Sequence, residues 1–416
     1  MARIVIIGGS LGGLMAANML SRAGHEVRVL EKAVNSLDGR GAGIVTHRPL
    51  LAALARCGIP PEAPLGVAID QRVVLGRDGS VVNRGSVPQV LTSWSRLYAL
   101  LLAAFPSDHY LQGATVRQVH QSPQGVTVVC DDGRTFDADV AVASDGIRSV
   151  VRNALAPEVA VKYAGYVAWR GVCDESALSQ LTLNTVFDTF GFGLPPGEQL
   201  IGYPVAGAGN SVGRGQRRYN FVWYRPAPDD GTLQALMTDA DGHHHPLGLP
   251  PNKVSWRHVA AARQAARSLL APQFAEILEK TAQPFLQPIY DCSSHRIAFG
   301  RVALMGDAAF VARPHVGMGV TKAAQDAMAL MDCIGTHGAN AEALLAFEQL
   351  RLQPAQSVVE RARRLGAYMQ SHAGSCNDAN KPVRDAHDVM METAIDLSVD
   401  PSATVAEAGV TSAVHA

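Results

Sequence analysis

The segment Gly8-Gly9-Ser10-Leu11-Gly12-Gly13 directly follows the apolar run Ile4-Val5-Ile6-Ile7, and Glu31 comes 23 residues after Gly8. Glycines spaced this way let backbone amides approach a pyrophosphate, and an acid about 20 residues further on accepts hydrogen bonds from a ribose. Gly8 and Gly13 fill the outer positions of the G-x-G-x-x-G pattern, whereas Ser10 stands at the middle one. Serine is small and its hydroxyl can donate to phosphate, so close approach is impaired rather than forbidden. Leu11 to Ser21 reads as a small-residue helix with its N-terminus toward the phosphates, and Gly24 ends it. Val27 to Leu30 then forms a second strand closed by Glu31 and Lys32. This order points to a dinucleotide held by Gly8, Ser10, Leu11, Gly13, Glu31 and Lys32. The alternative is a glycine-rich turn that only packs a helix on a strand.

Two later stretches could hold the remainder of such a ligand. Asp145-Gly146 leaves the apolar strand Val140 to Ala143, and Ser149 caps the segment after it, an arrangement suited to a cofactor tail or to an ordinary strand-to-helix turn. Gly306-Asp307-Ala308-Ala309 follows the buried strand Arg301 to Met305. There Asp307 can accept from a polyol, while amides near Pro314, Gly317 and Gly319 can hold an electron-rich ring edge.

The elements that must position these residues fall into an α/β pattern. A Rossmann-like dinucleotide domain is expected over 1–160, with a strand-rich insert at Val67 to Val90 and a sheet addition at Ala114 to Val119, Gly125 to Cys130 and Thr135 to Ala143. Asp131-Asp132-Gly133 marks a hairpin turn in that addition. Over 161–288 an antiparallel β-sheet substrate domain is expected, from Ala164 to Cys173, Thr185 to Phe190, Gln199 to Pro204 and Tyr219 to Arg225, followed by helices Val259 to Leu270 and Phe274 to Thr281. Such a sheet would roof the cofactor. The chain returns to the dinucleotide domain over 289–335, with a helix from about Gly317 to Ile334. C-terminal helices and a tail fill 336–416, with a long amphipathic helix at Ala341 to Ser371 and a weakly ordered end from Asp400.

Composition narrows the partners. The 416 residues carry a formal charge of −1, from 36 basic and 37 acidic side chains, so neither nucleic acid nor an anionic membrane is an expected partner. The six cysteines lack a C-x-x-C pair, which argues against a disulfide framework and a zinc site and fits a reducing cytoplasm. The first strand begins almost at once and no apolar run approaches about 18 residues, so a soluble cytoplasmic protein is expected. His243-His244-His245 lies between Asp241-Gly242 and Pro246, and reads as an exposed loop rather than a metal site.

The loop at Gly8 to Gly13 with Glu31, the Asp145-Gly146 motif and the Gly306-Asp307 motif occur in the order and at the intervals of the FAD-dependent aromatic hydroxylases of the para-hydroxybenzoate hydroxylase type, which this chain resembles over about residues 2–370. Within that family, Gly39 to Ile44, Tyr163 to Val172 and Met237-Thr238-Asp239 are most similar to the branch acting on dihydroxypyridines. The resemblance implies that Gly8, Ser10 and Gly13 line the FAD pyrophosphate and that Glu31 takes the adenosine ribose. Arg96, ahead of a leucine-rich helix, would reach the FAD, and Val116 would lie near adenine. Asp307 would bind the ribityl and pyrophosphate region, and Pro314 with Gly317 to Gly319 would line the isoalloxazine. Phe310 stands where many relatives have histidine.

The implied reaction uses NAD(P)H to reduce the flavin, adds O2 to form a flavin hydroperoxide, and hydroxylates an electron-rich aromatic, here expected to be a hydroxypyridine such as 2,6-dihydroxypyridine. Family members have no separate nicotinamide domain, which accounts for the single G-x-G-x-x-G loop. Deprotonating a ring hydroxyl raises the ring's electron density, so a base near the substrate is expected. His315, directly after Pro314, and His47, after Gly41-Ala42-Gly43-Ile44, are the candidates, with Tyr203 on a roof strand as a third and Tyr224 also near the pocket. A packed side chain is the alternative for each. Trp169 and Trp223 read as core aromatics and Cys292 as structural. Two other readings remain: a flavin-dependent reductase or dehydrogenase of the same fold without oxygen insertion, and a flavin-bound module without turnover. A homodimer is compatible with the sequence.

Overall fold

Strand β1 (Arg3–Ile7) buries all four of its aliphatic residues, as a run covered on both faces must. The structure, a computed structural model, describes residues 1–35, 37, 43–246, 248–367 and 385–396. β1 lies between β2 (Glu26–Glu31) and β10 (Val140–Ala143), both parallel to it. With β6 (Tyr110–Gln112), β17 (Val302–Leu304) and β16 (Ala298–Phe299) they form a six-stranded sheet in the order β16-β17-β10-β1-β2-β6, antiparallel only at β16. Helix α1 (Leu11–Arg22) links β1 to β2 and is buried on nearly every side by α3 (Trp94–Ala103) and α9 (Gly319–His337). That burial explains its alanines, glycines and methionines. Helix α2 (Arg48–Arg56) starts with Pro49 in its first turn and buries Leu50, Ala53 and Leu54 against the same layer.

A three-stranded antiparallel sheet, β7 (Val116–Gln121), β8 (Val126–Cys130) and β9 (Thr135–Ala138), sits beside this layer. The turn at Asp131 to Gly133 is closed by the Cys130 amide donating to the Arg134 carbonyl at 2.9 Å. The run Thr135 to Ala143, expected as one strand, is divided at Asp139. Its carboxylate accepts from the Arg3 amide at 2.8 Å, and β9 and β10 join different sheets on either side of it.

The largest sheet has nine strands in the order β18-β15-β11-β14-β13-β12-β4-β5-β3. Its members are β3 (Gly43–Val45), β4 (Gly66–Leu75), β5 (Val81–Ser93), β11 (Lys162–Asp174), β12 (Phe190–Gly193), β13 (Gln199–Val205), β14 (Arg218–Pro226), β15 (Phe285–Ser293) and β18 (Phe310–Val311). The insert at Val67 to Val90 therefore belongs to this roof and not to the dinucleotide layer, because β4 pairs in parallel with β12, Arg72 opposite Phe190. The expected strand Thr185 to Phe190 is also corrected. Helix α5 (Gln180–Thr182), capped by Ser179, runs into a π-turn over Leu183–Phe187, and extended structure starts only at Phe190.

Period-two alternation gives the roof two faces. Tyr166, Ala168, Tyr203, Val222 and Tyr224 share one face, while Val167, Trp169, Phe221 and Trp223 bury against α7 (Trp256–Leu269) and α8 (Pro272–Lys280). Short helices α4 (Val150–Leu155), capped by Ser149, and α6 (Thr232–Leu236) bridge strands.

Helix α10 (Ala341–Gly366), capped by Asn340, crosses the back of the first sheet, and α11 (Ala386–Glu392) packs on β4 and β5. The expected end of that long helix at Ser371, the tail from Asp400 and positions 39–42 of the Gly39 to Ile44 stretch lie outside the described residues. The strap that follows α11 is tied down by Arg72, which is fully buried. Its guanidinium donates to the carbonyls of Met390 and Thr393 at 2.6 Å each, to the Ala394 carbonyl at 3.1 Å and to Gln89 Oε1 at 2.6 Å. Gln89 Nε2 also donates to Ala394 at 2.8 Å.

No group among the described residues clusters histidine, cysteine or acids for a metal, and no helix among them is long and apolar enough to cross a membrane. His243 is exposed as expected. His245 is not, since its Nε2 pairs with Asp239 Oδ2 at 2.8 Å, a hydrogen bond that holds Asp239 at about 2. Five cysteines, Cys292 among them, are buried and free.

Candidate active site

Two cavities lie end to end between the first sheet and the roof, sharing the Asp145–Ile147 turn as a common border. The first, about 290 Å³, is lined by Gly8, Ser10, Glu31, Lys32, Trp94, Val116, Asp145 and Arg148 among others. The fingerprint turn is built without spare room. A Cβ on Gly13 would stand 1.9 Å from the Gly8 carbonyl oxygen, and Gly8 itself has φ +101°. Ser10 is the N-cap of α1, yet its side chain makes no cap hydrogen bond, leaving the hydroxyl and the first helical amides, Leu11 included, free for an anion. Glu31 accepts from the amides of Gly9 and Ala33 at 2.8 Å each, so the acid shapes the loop as well as facing the cavity. Asp145 accepts from Val150 at 2.8 Å, and burial raises its carboxyl pKa.

Arg152 joins this end to the other. Buried, it donates to the carbonyls of Ala308 at 3.0 Å and Ile147 at 2.6 Å, clamping the Asp145 motif to the Gly306 motif. Behind the Gly306 turn, Asp326 accepts from the Gly306 amide at 3.0 Å and from Arg351 at 2.8 Å. Lys322, wholly buried, lies 3.8 Å from Asp326 and above the ring of Phe310, so an aromatic at that position has a cation to face. Asp307 opens into the second cavity, where its carboxylate is exposed.

The second cavity, about 300 Å³, has Pro314, Gly317, Gly319 and Asp307 on one wall and Arg170, Tyr203 and Tyr224 from the roof on the other. Tyr203 packs on Phe190 with ring centroids 4.9 Å apart and crosses Gly43 so closely that a Cβ there would meet its ring at 2.4 Å. Burial raises the pKa of both tyrosine hydroxyls, Tyr224 to about 12, while the charge of Arg170 acts in the opposite sense. Both are neutral hydrogen-bond donors at physiological pH.

The structure does not bring His315 or His47 into this lining. His315 is turned into the core: Nδ1 donates to Gln199 Oε1 at 2.8 Å, and Nε2 accepts from the Tyr166 hydroxyl at 2.9 Å. Burial, with Arg313 and Arg170 adding to it, pushes His315 down to about 3. The ring is a neutral strut between β11, β13 and the loop before α9. His47 is also buried, with Nδ1 2.9 Å from Thr321 Oγ1, and burial lowers its pKa against the nearby Asp396. Arg96 donates to the Pro64 carbonyl at 2.9 Å and lines neither cavity, while Trp94 two residues earlier does.

Trp94, Gln287, Tyr290 and Ala394 were invisible to motif reading. Gln287 and Tyr290 lie three residues apart on β15, where simple alternation would put them on opposite faces, and nothing local signals Ala394, whose amide donates to the His315 carbonyl at 3.0 Å across the fold. The donors, acids and glycine cradle suit a long, phosphate-bearing cofactor with a flat ring at its inner end, as FAD is.

Known proteins agree with that geometry. The FAD binding domain family matches residues 1–59 and 250–362, and the FAD binding domain-like family matches 163–291. The chain is 31% identical over 380 residues to 2,6-dihydroxypyridine 3-monooxygenase of Paenarthrobacter nicotinovorans, covering 91% of this chain and 94% of that protein. It is 28% identical to 3-amino-4-hydroxybenzoate 2-monooxygenase of Streptomyces cremeus, covering 93% and 92%. The structure of 2,6-dihydroxypyridine-3-hydroxylase from Arthrobacter nicotinovorans superposes with a TM-score of 0.83 at 29% identity, over 91% of this chain and 95% of that one. Klebsiella pneumoniae HpxO complexed with FAD and uric acid shares the fold, with a TM-score of 0.74 at 23% identity over 89% of each chain. The protein is therefore a member of the FAD-dependent aromatic hydroxylases, an enzyme of the class A flavin monooxygenases.

Proposed function

We propose that the protein hydroxylates a hydroxypyridine such as 2,6-dihydroxypyridine, with NAD(P)H as reductant and O2 as the oxygen source, in the cytoplasm. The second cavity carries this reading. It has room for one substituted aromatic ring, and its roof offers hydroxyl donors and a single cation to the ring's oxygen substituents. Bound FAD would supply the redox chemistry and the activation of oxygen. The chain's own residues bind, orient and shield. Gly8, Ser10, Leu11 and Gly13 would hold the pyrophosphate, Glu31 and Lys32 the adenosine end with Val116, and Asp145 and Asp307 the linking polyol. Pro314, Gly317 and Gly319 would set the ring edge against the substrate. Tyr203 and Tyr224 donate to ring oxygens and fix which carbon faces the cofactor, while the roof excludes water. A groove of about 890 Å³ continues from this cavity past Tyr290 and Gln287, giving the reductant or the substrate a way in.

The test is reductant oxidation and oxygen uptake by the FAD-loaded protein with 2,6-dihydroxypyridine, hydroxynicotinates and hydroxybenzoates. Recovery of a product with one added hydroxyl supports the reading. Reductant oxidation that yields only hydrogen peroxide with every compound refutes it.

A further inference from the structure

Arg170 is the one basic side chain in the lining of the second cavity, among the described residues, and Asp307 on the opposite wall the one acidic side chain. Arg170 sits in mid-strand on β11, with Val222 of β14 and Phe285 of β15 as its cross-strand neighbours, so nothing beside it in the sheet compensates its charge. Arg170 is half-buried, and the fully buried arginines of the fold are partnered. Arg217, Arg313 and Arg351 each meet a carboxylate at 2.6 to 2.8 Å, and Arg72 and Arg152 donate to carbonyls. Among the described residues Arg170 has no such ion pair; its Nε is buried without a hydrogen-bond partner, as are those of Arg72 and Arg152, but unlike theirs its guanidinium makes no hydrogen bond to a carbonyl. An uncompensated, partly desolvated cation is costly unless something else brings the opposite charge.

The groups facing Arg170 come from every surrounding element: Tyr203 on β13, Tyr224 on β14, Tyr290 and Gln287 on β15 and Asp307 beneath, with Tyr166, His315 and Arg313 behind. On the roof side these are neutral donors. His315 has both nitrogens engaged within the protein, and its imidazole is not available as a base in the cavity. The roof thus offers positive charge and hydroxyl hydrogens, the complement of an oxyanion, and the one carboxylate of the lining, Asp307, lies on the opposite wall.

We propose that Arg170 captures the ring-hydroxyl anion of the substrate from solution, so that the substrate loses its proton to water before it binds and its oxyanion rests on Arg170 with Tyr203 and Tyr224 donating. This deepens the hydroxylase reading and rests on it. The substrate class becomes aromatics whose ring hydroxyl is acidic enough to ionise near neutral pH, hydroxypyridines among them.

Titrating the FAD-loaded protein with 2,6-dihydroxypyridine and with 4-nitrophenol tests it, because neutral and ionised forms of each absorb differently. The bound probe is expected to carry the anion's spectrum. Its Kd should be flat above the probe's own pKa and rise about tenfold per pH unit below it. Arg170→Gln should weaken anion binding on the order of 100-fold and abolish that pH dependence, and Arg170→Lys should restore much of both. FAD content and thermal midpoint report that the variants fold. A neutral spectrum for the bound probe, Arg170→Gln binding within about threefold of the parent, or no binding of either probe overturns the proposal. Anion binding that Arg170→Gln abolishes upholds it even where no probe is hydroxylated, and in that case it is the oxygen-transfer reading that fails.

Discussion

Replacing Arg72 by methionine removes the donor that holds the last described segment against the roof. Methionine keeps the length of the side chain and takes away the charge, so the burial cost of the cation vanishes together with its hydrogen bonds. Left behind are three carbonyls, of Met390, Thr393 and Ala394, and the Gln89 oxygen, all in a dry setting. Leaving such groups without a donor costs about 1 kcal/mol each at the low end, and Gln89 still serves Ala394, so the net loss is about 3 kcal/mol. The loss falls on the strap, because residues 385–396 are a short end segment that can undock without opening either sheet. An undocking constant raised roughly 100-fold follows from that energy. Hydrogen exchange read by mass spectrometry on peptides covering 386–394 should show that much faster exchange, with β1 and β10 unchanged. Because Ala394 also lines the second cavity, KM for the aromatic should rise while FAD content holds. Unchanged protection of 386–394 in Arg72→Met would refute the reasoning.

His315 gives a pH prediction. Its folded pKa of about 3 lies below the ordinary 6.5, so the unfolded chain binds the extra proton between them. The contribution is complete above 6.5 and is lost as pH falls, by about 1.4 kcal/mol per unit. Urea midpoints followed downward from neutral pH should show this slope, and His315→Gln should flatten it. Gly13→Ala places a methyl 1.9 Å from the Gly8 oxygen, so the purified variant should lose its bound flavin, read as the ratio of visible to ultraviolet absorbance. Asp291 takes Arg313 at 2.8 Å and Arg363 at 2.7 Å, and although burial alone would raise its pKa, those hydrogen bonds hold it below the usual value. Asp291→Asn should therefore lower stability by about 3 kcal/mol in urea melts above pH 4, with the difference closing in acid.

The parts legible in the sequence were those fixed by local rules. The glycine turn, α1, β2 and Glu31 could be read because turn geometry and helix–strand packing depend on near neighbours. The strands of the roof were readable from alternation, but not their partners, so Val67 to Val90 was assigned to the wrong layer: β4 pairs with β12 across more than a hundred residues. Leu183 to Phe187 has the β-branched and aromatic composition of a strand, and Ser179 as a cap overrides it. For the site, position in the chain misled. His315 follows the loop that lines the cavity, yet Tyr166 and Gln199 draw its ring to the other side, and Arg96 is drawn to Pro64. Arg170 belongs to no cofactor motif, and only the pairing of β11 with β14 and β15 places it over the second cavity.

The order β16-β17-β10-β1-β2-β6 has a consequence for how the enzyme is made. A ribosome delivers β1 and β2 first, β10 more than a hundred residues later, and β17 with the Gly306 turn only after about three-quarters of the chain. The parallel sheet cannot gain its last interior strand until then, and until then the nascent chain exposes the edge of β10. Asp145 and Asp307 likewise cannot face each other before that point. A chain that ends before the Gly306 turn lacks half of the cofactor's cradle and leaves the edge of β10 unpaired, so flavin binding requires nearly the whole chain.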